Sequence, residues 1–366
     1  MNINTINSVF WIRAIACIAV VMGHSIQLTN VEFKNFSNDF YSLLLNYLLA
    51  AGLFGTPVFV FISELLLSKK YPTQLPVGFF KKRIAYIFFP YLFMNVVYAF
   101  IKIESYNVIV IIVEILKNIF LGHSVLYFIL IIFQFYLLHS ILNNFLNRYS
   151  PVAVLSVSFA INMLYLAIFN FMDPPNNSIA KEVWRYGYWL PFVGWLFYFT
   201  LGFYCGKYFD KFVYLLGKYS KTVFALPPLT FFLFIIINKF DLINYTTSKR
   251  VDMVPYTVSI IFLIFLVSTH FIKTVPKIVM IISNYSFSIY LLHMLIIHLI
   301  ELFTPPIMLN KLSYLVIVMV ISVCFSILLS YLINKFTFGK YIVGNINTYK
   351  SYTAKHKFKS PRSIKV

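Results

Sequence analysis

Two ionisable side chains, Arg13 and His24, lie inside the first apolar run of this 366-residue chain, where lipid would make an unpartnered charge costly. They are eleven residues apart. At about 100° per residue that separation falls within about 20° of three full helical turns, so on a helix both side chains face the same way, roughly 16 Å apart along the axis. A guanidinium is permanently charged and suits phosphate, while an imidazole can take a proton from a hydroxyl near neutral pH. A face carrying both could line a path through a membrane protein. Spacing alone leaves a plainer alternative open, in which Arg13 snorkels to headgroups and His24 bonds a neighbouring carbonyl.

Two further polar trios have helical spacing. His123, Tyr127 and Gln134 share one face of a later run, and Ser286, Tyr290 and His293 share one face of another. Either trio could join the same path, with the first as a candidate substrate-binding set, or simply hydrogen-bond between helices. His139, His270 and His298 lack such partners and read as structural. Glu64 precedes Lys69 and Lys70, which suggests a salt bridge at the membrane interface. Arg83 belongs to the cluster Lys81-Lys82-Arg83, which either anchors topology or holds an anionic cofactor. Gly202 and Gly206 form a small-xxx-small pattern that predicts a close helix contact.

The elements that must position these residues follow from composition. The chain is 60% hydrophobic, 20% aromatic and only 11% charged, against roughly one-quarter charged in a soluble domain. A water-soluble fold is excluded. Runs long enough to cross a bilayer as helices fall at 8–28, 41–68, 84–101, 124–142, 151–171, 190–206, 222–238, 253–272, 279–301 and 312–334. The chain is therefore expected to be an all-α integral membrane protein of about ten transmembrane helices. The second run should be interrupted at Phe54-Gly55-Thr56-Pro57.

The formal net charge of +19 is not a nucleic-acid stripe, because the basic residues recur between apolar runs. Twenty Lys and Arg fall on one side of the expected topology and nine on the other, while nine of eleven acidic residues lean the opposite way. The positive-inside rule then places both the N and C termini in the cytoplasm. The segments 102–123 and 172–189 read as outer loops, and the tail after Lys340 as a basic, unstructured cytoplasmic segment against anionic headgroups. Cys17, Cys205 and Cys324 lie in apolar runs, offering neither a disulfide framework nor a metal site. No phosphate loop, H-E-x-x-H pair or G-x-S-x-G elbow is present, which disfavours ATP hydrolysis, zincin proteolysis and α/β-hydrolase chemistry.

The segment WIRAIACIAVVMGH, ending at His24, resembles the R-x10-H signature in the first span of the membrane-bound acyltransferase 3 family. FGTPVFVFIS from Phe54, KKRIAYIFFPY from Lys81, LYFILIIFQFYLL from Leu126, GWLFYFTLGFYCG from Gly194 and SFSIYLLH ending at His293 continue the likeness in order. The resemblance implies an acyltransferase domain over 1–340, with the basic tail at 341–366. It implies Arg13 and Arg83 as residues holding an acyl-CoA donor, His24 as catalytic base, and Tyr290 and His293 as further catalytic residues. No metal is implied. The likeness is strongest to members serving a poly-N-acetylglucosamine biofilm polysaccharide. It therefore implies O-succinyl or O-acetyl transfer from succinyl-CoA or acetyl-CoA, with membrane lipids, the surface polysaccharide and the polysaccharide synthase complex as partners. An exporter or flippase of the same polymer is the alternative. Two departures stand out: Ile87 where many relatives carry a second Arg, and Glu64 where they carry Gly. Many relatives also carry an extracellular esterase-like domain, and this chain ends too soon for one, so the membrane domain is expected to act unaided.

Overall fold

The structure, a computed structural model, describes residues 3–34, 40–103, 107–243, 245–272, 274–303 and 310–346. These residues form helices α1 (Ile3–Glu32), α2 (Phe40–Gly52), α3 (Gly55–Lys70), α4 (Phe79–Arg83), α5 (Phe89–Lys102), α6 (Val108–Phe120), α7 (Phe128–Arg148), α8 (Pro151–Phe171), α9 (Ser178–Gly187), α10 (Leu196–Lys207), α11 (Phe209–Lys218), α12 (Ser220–Lys239), α13 (Met253–Leu266), α14 (Lys277–Phe303) and α15 (Lys311–Ile333). Among the described residues there is no strand. Large apolar side chains such as Phe100, Ile109 and Ile141 stand exposed on the outer surface, while serines, asparagines and histidines lie inside. That inversion is what a lipid solvent demands.

Nine of the ten expected runs are helices, or helix pairs, long and apolar enough to cross a bilayer. The tenth, 190–206, begins as a single 3-10 turn, Phe192–Trp195, and continues as the twelve-residue α10. A rise of 1.5 Å per residue makes α10 only about 18 Å long. From Tyr198 to Gly206 it is buried inside the protein, packed on α3 and α8. Gly202 and Gly206 permit this, since a Cβ at either would collide with the α3 carbonyls of Phe61 and Leu65.

The second run breaks between Gly52 and Gly55, as its Gly-Thr-Pro sequence predicts. Gly55 there sits against the carbonyl of Ala16 in α1. A π-helical turn, Ile84–Phe88, joins α4 to α5 just before Pro90. The 102–123 segment is not merely a loop: α6 is capped by the Asn107 side chain on the Ile109 N–H. It is tied to α5 by the Tyr91 hydroxyl donating to Ile119 O (2.7 Å) and by Asn118 Nδ2 donating to Asn95 O (3.3 Å). Cys17 and Cys205 are buried as packing residues, but Cys324 is exposed.

At the chain's end, Val343 is fully buried and its carbonyl accepts from Ser288 Oγ at 2.7 Å. The expected domain boundary at Lys340 therefore falls inside the packed structure. An apolar Ile342-Val343 pair gave the segment something to bury. The rest of the expected tail, 347–366, lies outside the described residues.

α1 is the hub of the bundle. It packs on α14, α3, α15 and α2, so whatever its polar face carries is enclosed by other helices.

Candidate active site

α1 and α14 run side by side, and their polar faces meet in two places. Arg13 Nη2 donates to Ser286 Oγ at 2.9 Å, and the ring of His24 lies 5.3 Å from that of His293. The eleven-residue step on α1 and the seven-residue step on α14 run in the same chain direction, so the two contacts form successive rungs of one polar seam. Arg13 and His24 are both half-buried and point into the bundle, not into lipid.

The local chemistry of the upper rung is specific. His293 is fully buried, and its Nδ1 lies 2.9 Å from both Ile289 O and Tyr290 O. Carbonyls only accept, so Nδ1 carries the hydrogen and Nε2 is left as an acceptor without a partner. His24 Nδ1 contacts Gln27 Oε1 at 2.9 Å, which frees its Nε2 likewise. The Tyr290 hydroxyl donates to Val125 O at 3.0 Å, and its ring lies 6.3 Å from His293. The donors of Tyr290 and His293 are thus committed to backbone. Neither is aimed at a reacting oxygen.

Arg83 shares Tyr136 as a neighbour with Arg13. Its guanidinium rests over the rings of Phe79 (4.9 Å) and Tyr136 (5.2 Å), a cation–π arrangement that holds the charge at the basic end of the bundle. That end also gathers Lys69 and Lys70, Lys81 and Lys82 and Arg148.

At the opposite end, His123 Nε2 meets the Tyr186 hydroxyl at 2.5 Å with Glu114 3.7 Å from Nδ1. The Tyr127 hydroxyl accepts from Lys249 Nζ at 2.7 Å. Gln134 is committed to structure: its Nε2 donates to Leu190 O (3.0 Å) and its Oε1 accepts from Phe192 N (2.9 Å). The amide thereby pins the irregular backbone that leads into α10. The three do not share a helix face: His123 precedes the helix, Tyr127 ends the 3-10 turn Val125–Tyr127, only Gln134 lies on α7, and each has a different partner.

Two other readings change. Glu64 does not pair with the nearby lysines; its Oε1 lies 2.6 Å from His139 Nδ1, both side chains wholly enclosed, so His139 has a partner after all. Sequence separation of 75 residues hides such a pair. The segment 241–252 also holds a fully buried Arg250, which donates from Nη2 to Asp252 Oδ2 at 2.7 Å and from Nε to Oδ1 at 3.0 Å. Only the Arg-Val-Asp spacing hinted at it. Among the described residues no cluster of three or more metal-ligating side chains occurs.

With that geometry in place, similarity to known proteins decides the family. The acyltransferase domain of the acyltransferase 3 family matches residues 6–331. The chain belongs to that family. A Bacillus subtilis (strain 168) relative, named as a membrane-bound acyltransferase, YfiQ, is 37% identical over 357 residues, covering 93% of this chain and 95% of the relative. Relatives from Staphylococcus aureus (strain MW2) and Staphylococcus epidermidis, both named as poly-beta-1,6-N-acetyl-D-glucosamine export proteins, are each 29% identical. They span 93% and 91% of this chain and 97% and 93% of their own lengths. No solved structure matches. This acyltransferase 3 member is a multi-pass membrane protein, bacterial by its relatives, and Arg13 and His24 are the pair that its fold sets against Ser286 and His293.

Proposed function

We propose that the protein is an O-acyltransferase that moves a short acyl group, succinyl or acetyl, from cytoplasmic acyl-CoA to a hydroxyl of an extracellular polysaccharide of the poly-N-acetylglucosamine class, in forming biofilm matrix. The observation that carries the reading is the two-rung seam: a guanidinium and an imidazole on one helix, each facing its own partner on α14. Both termini are taken as cytoplasmic, with the basic end of the bundle inside.

In this reading Arg13 and Arg83 hold the phosphates of the donor near the inner face, and the pantetheine arm runs along the seam. A cofactor that cannot cross the membrane then needs only to reach across it. The sugar hydroxyl enters from outside. His24 Nε2 takes its proton as the oxygen attacks the thioester carbonyl carbon. The carbon–sulfur bond breaks, the proton passes from His24 to the thiolate, and free CoA thiol departs. Because the Nδ1 hydrogen of His293 is fixed on backbone, its part is to accept at Nε2 from a neighbouring hydroxyl of the sugar and so orient the acceptor. Tyr290 positions that ring. His123 and Tyr127 flank the acceptor's approach.

The test is acyl transfer by purified protein in nanodiscs, with acyl-CoA and a β-1,6-linked glucosamine oligomer, read by mass spectrometry. Transfer that disappears in His24→Ala is the expected result; His24→Ala with undiminished transfer would remove the base from the scheme.

A second reading is favoured by the name of the staphylococcal relatives: a polysaccharide exporter, with the seam as conduit. A pure exporter has no reason to bind acyl-CoA, so donor binding by the solubilised protein separates the two.

A further inference from the structure

Lys249 is a half-buried ammonium with an unusual setting. It sits at the end of the bundle away from the basic loops, in the segment between α12 and α13. Its Nζ donates to the Tyr127 hydroxyl at 2.7 Å and lies over the rings of Tyr127 (4.9 Å) and Trp195 (5.4 Å). Among the described residues no carboxylate is within ion-pair distance of it. An ammonium has three donors, and the phenol uses one. Its neighbour Arg250 has, by contrast, both a carboxylate and backbone carbonyls to itself.

The position of Lys249 is built, not incidental. Asn170 of α8 clamps the backbone on either side of Arg250, its Nδ2 donating to Lys249 O (3.2 Å) and its Oδ1 accepting from Val251 N (2.9 Å). The buried Arg250 side chain locks the same turn from beneath, so Lys249 has little freedom to swing out to solvent.

A continuous line of rings joins this cation to the imidazole pair. Trp195 lies 6.1 Å from Phe128, Phe128 lies 6.4 Å from Tyr290, Tyr290 lies 6.3 Å from His293, and His293 lies 5.3 Å from His24. Lys249 and His24 are also close enough for their charges to interact. A half-buried cation without a counter-ion, joined to the imidazole pair by this line of rings, invites an anion.

The geometry points to Lys249 as the residue that selects the acyl group, holding the distal carboxylate of a dicarboxylic acyl chain such as succinyl while the thioester lies at His24. Resting on the acyltransfer reading above, this assigns the substrate class that reading leaves as succinyl or acetyl. An acetyl group has nothing to offer the ammonium. A carboxylate would fill its two open donors with charge-assisted hydrogen bonds. No new covalent step is involved; the cation only positions the acyl chain.

The experiment is a competition. The full chain in nanodiscs receives equal succinyl-CoA and acetyl-CoA with a β-1,6-linked glucosamine oligomer, and the two esters are counted by mass spectrometry. The wild type is expected to favour succinyl by tenfold or more, equivalent to about 1.4 kcal/mol or more. Lys249→Met should lower the succinyl-to-acetyl ratio at least tenfold, chiefly through the KM for succinyl-CoA, and Lys249→Arg should keep the ratio within threefold of wild type. Lys249→Gln supplies the same comparison if the methionine variant fails to fold. A ratio unmoved by Lys249→Met, or a wild type that transfers acetyl alone, overturns the assignment and leaves the acyltransfer reading standing. A folded wild type that transfers neither group overturns both.

Discussion

The bundle contains two buried encounters involving histidine, and they are built oppositely. Where α1 meets α14, the imidazoles of His24 and His293 face each other with an open nitrogen on each ring and no carboxylate between them. Between α3 and α7, Glu64 and His139 close on each other at 2.6 Å, sealed beneath α10 where Gly202 brings that helix against the Glu64 Cβ. The first pair leaves proton-accepting capacity unused inside the protein. The second ties one atom of each group to the other, yet Glu64 Oε2 and His139 Nε2 also stay buried without a partner. What separates the two is the partner: an imidazole facing another imidazole has no counter-ion and points to chemistry, whereas Glu64 and His139 each face an oppositely ionisable group and act as a strut.

Substitutions can break that contrast. The largest effect belongs to His24→Ala, which should reduce acyl transfer about 10²–10⁴-fold, the usual worth of a general base, while the thermal midpoint in detergent stays near wild type. Glu64→Ala should do the reverse. Removing one member of a buried pair costs about 3–5 kcal/mol, so the midpoint should fall sharply, and the double variant Glu64→Gln/His139→Gln should recover part of it because no charge is left alone. Wild-type stability in Glu64→Ala would mean that the pair is not the strut described here.

Arg13→Lys sharpens the lower rung. The ammonium keeps the charge but loses the guanidinium fork, so KM for acyl-CoA should rise about tenfold with kcat less affected. An unchanged KM would detach Arg13 from the donor. The smallest effect is expected from Gln134→Ala, which strands Leu190 O and Phe192 N at the entrance to α10. It should cost about 1–3 kcal/mol of stability without altering the ratio of acyl products.

How much of this was legible in the chain depends on distance along it. The Arg13–His24 face and the Ser286–Tyr290–His293 face were readable because helical periodicity is local, and the structure needed only to set one against the other. The break at Gly55-Thr56-Pro57 and the close contact of Gly202 and Gly206 were local as well. Glu64–His139 was not legible, since each residue lies in its own apolar run and nothing in either run names the other. The same holds for Lys249, which counted merely as an outer-loop charge until Asn170 and Arg250 were seen to fix it. α6 was missed as a helix because Glu114 and Lys117 interrupt its apolar run, while its tie to α5 comes from Tyr91, Asn95 and Asn118. The run at 190–206 was legible as an apolar stretch, but not its division into a 3-10 turn and α10, which depends on packing against α3 and α8.

The account turns on the seam carrying an acyl group from one face of the membrane to the other. Proteoliposomes with uniformly oriented protein, acyl-labelled acyl-CoA on the face of the basic loops and glucosamine oligomer on the opposite face, test this directly. The account predicts label on the oligomer, abolished in His24→Ala. Label that reaches the sugar only when donor and acceptor share one face would contradict it.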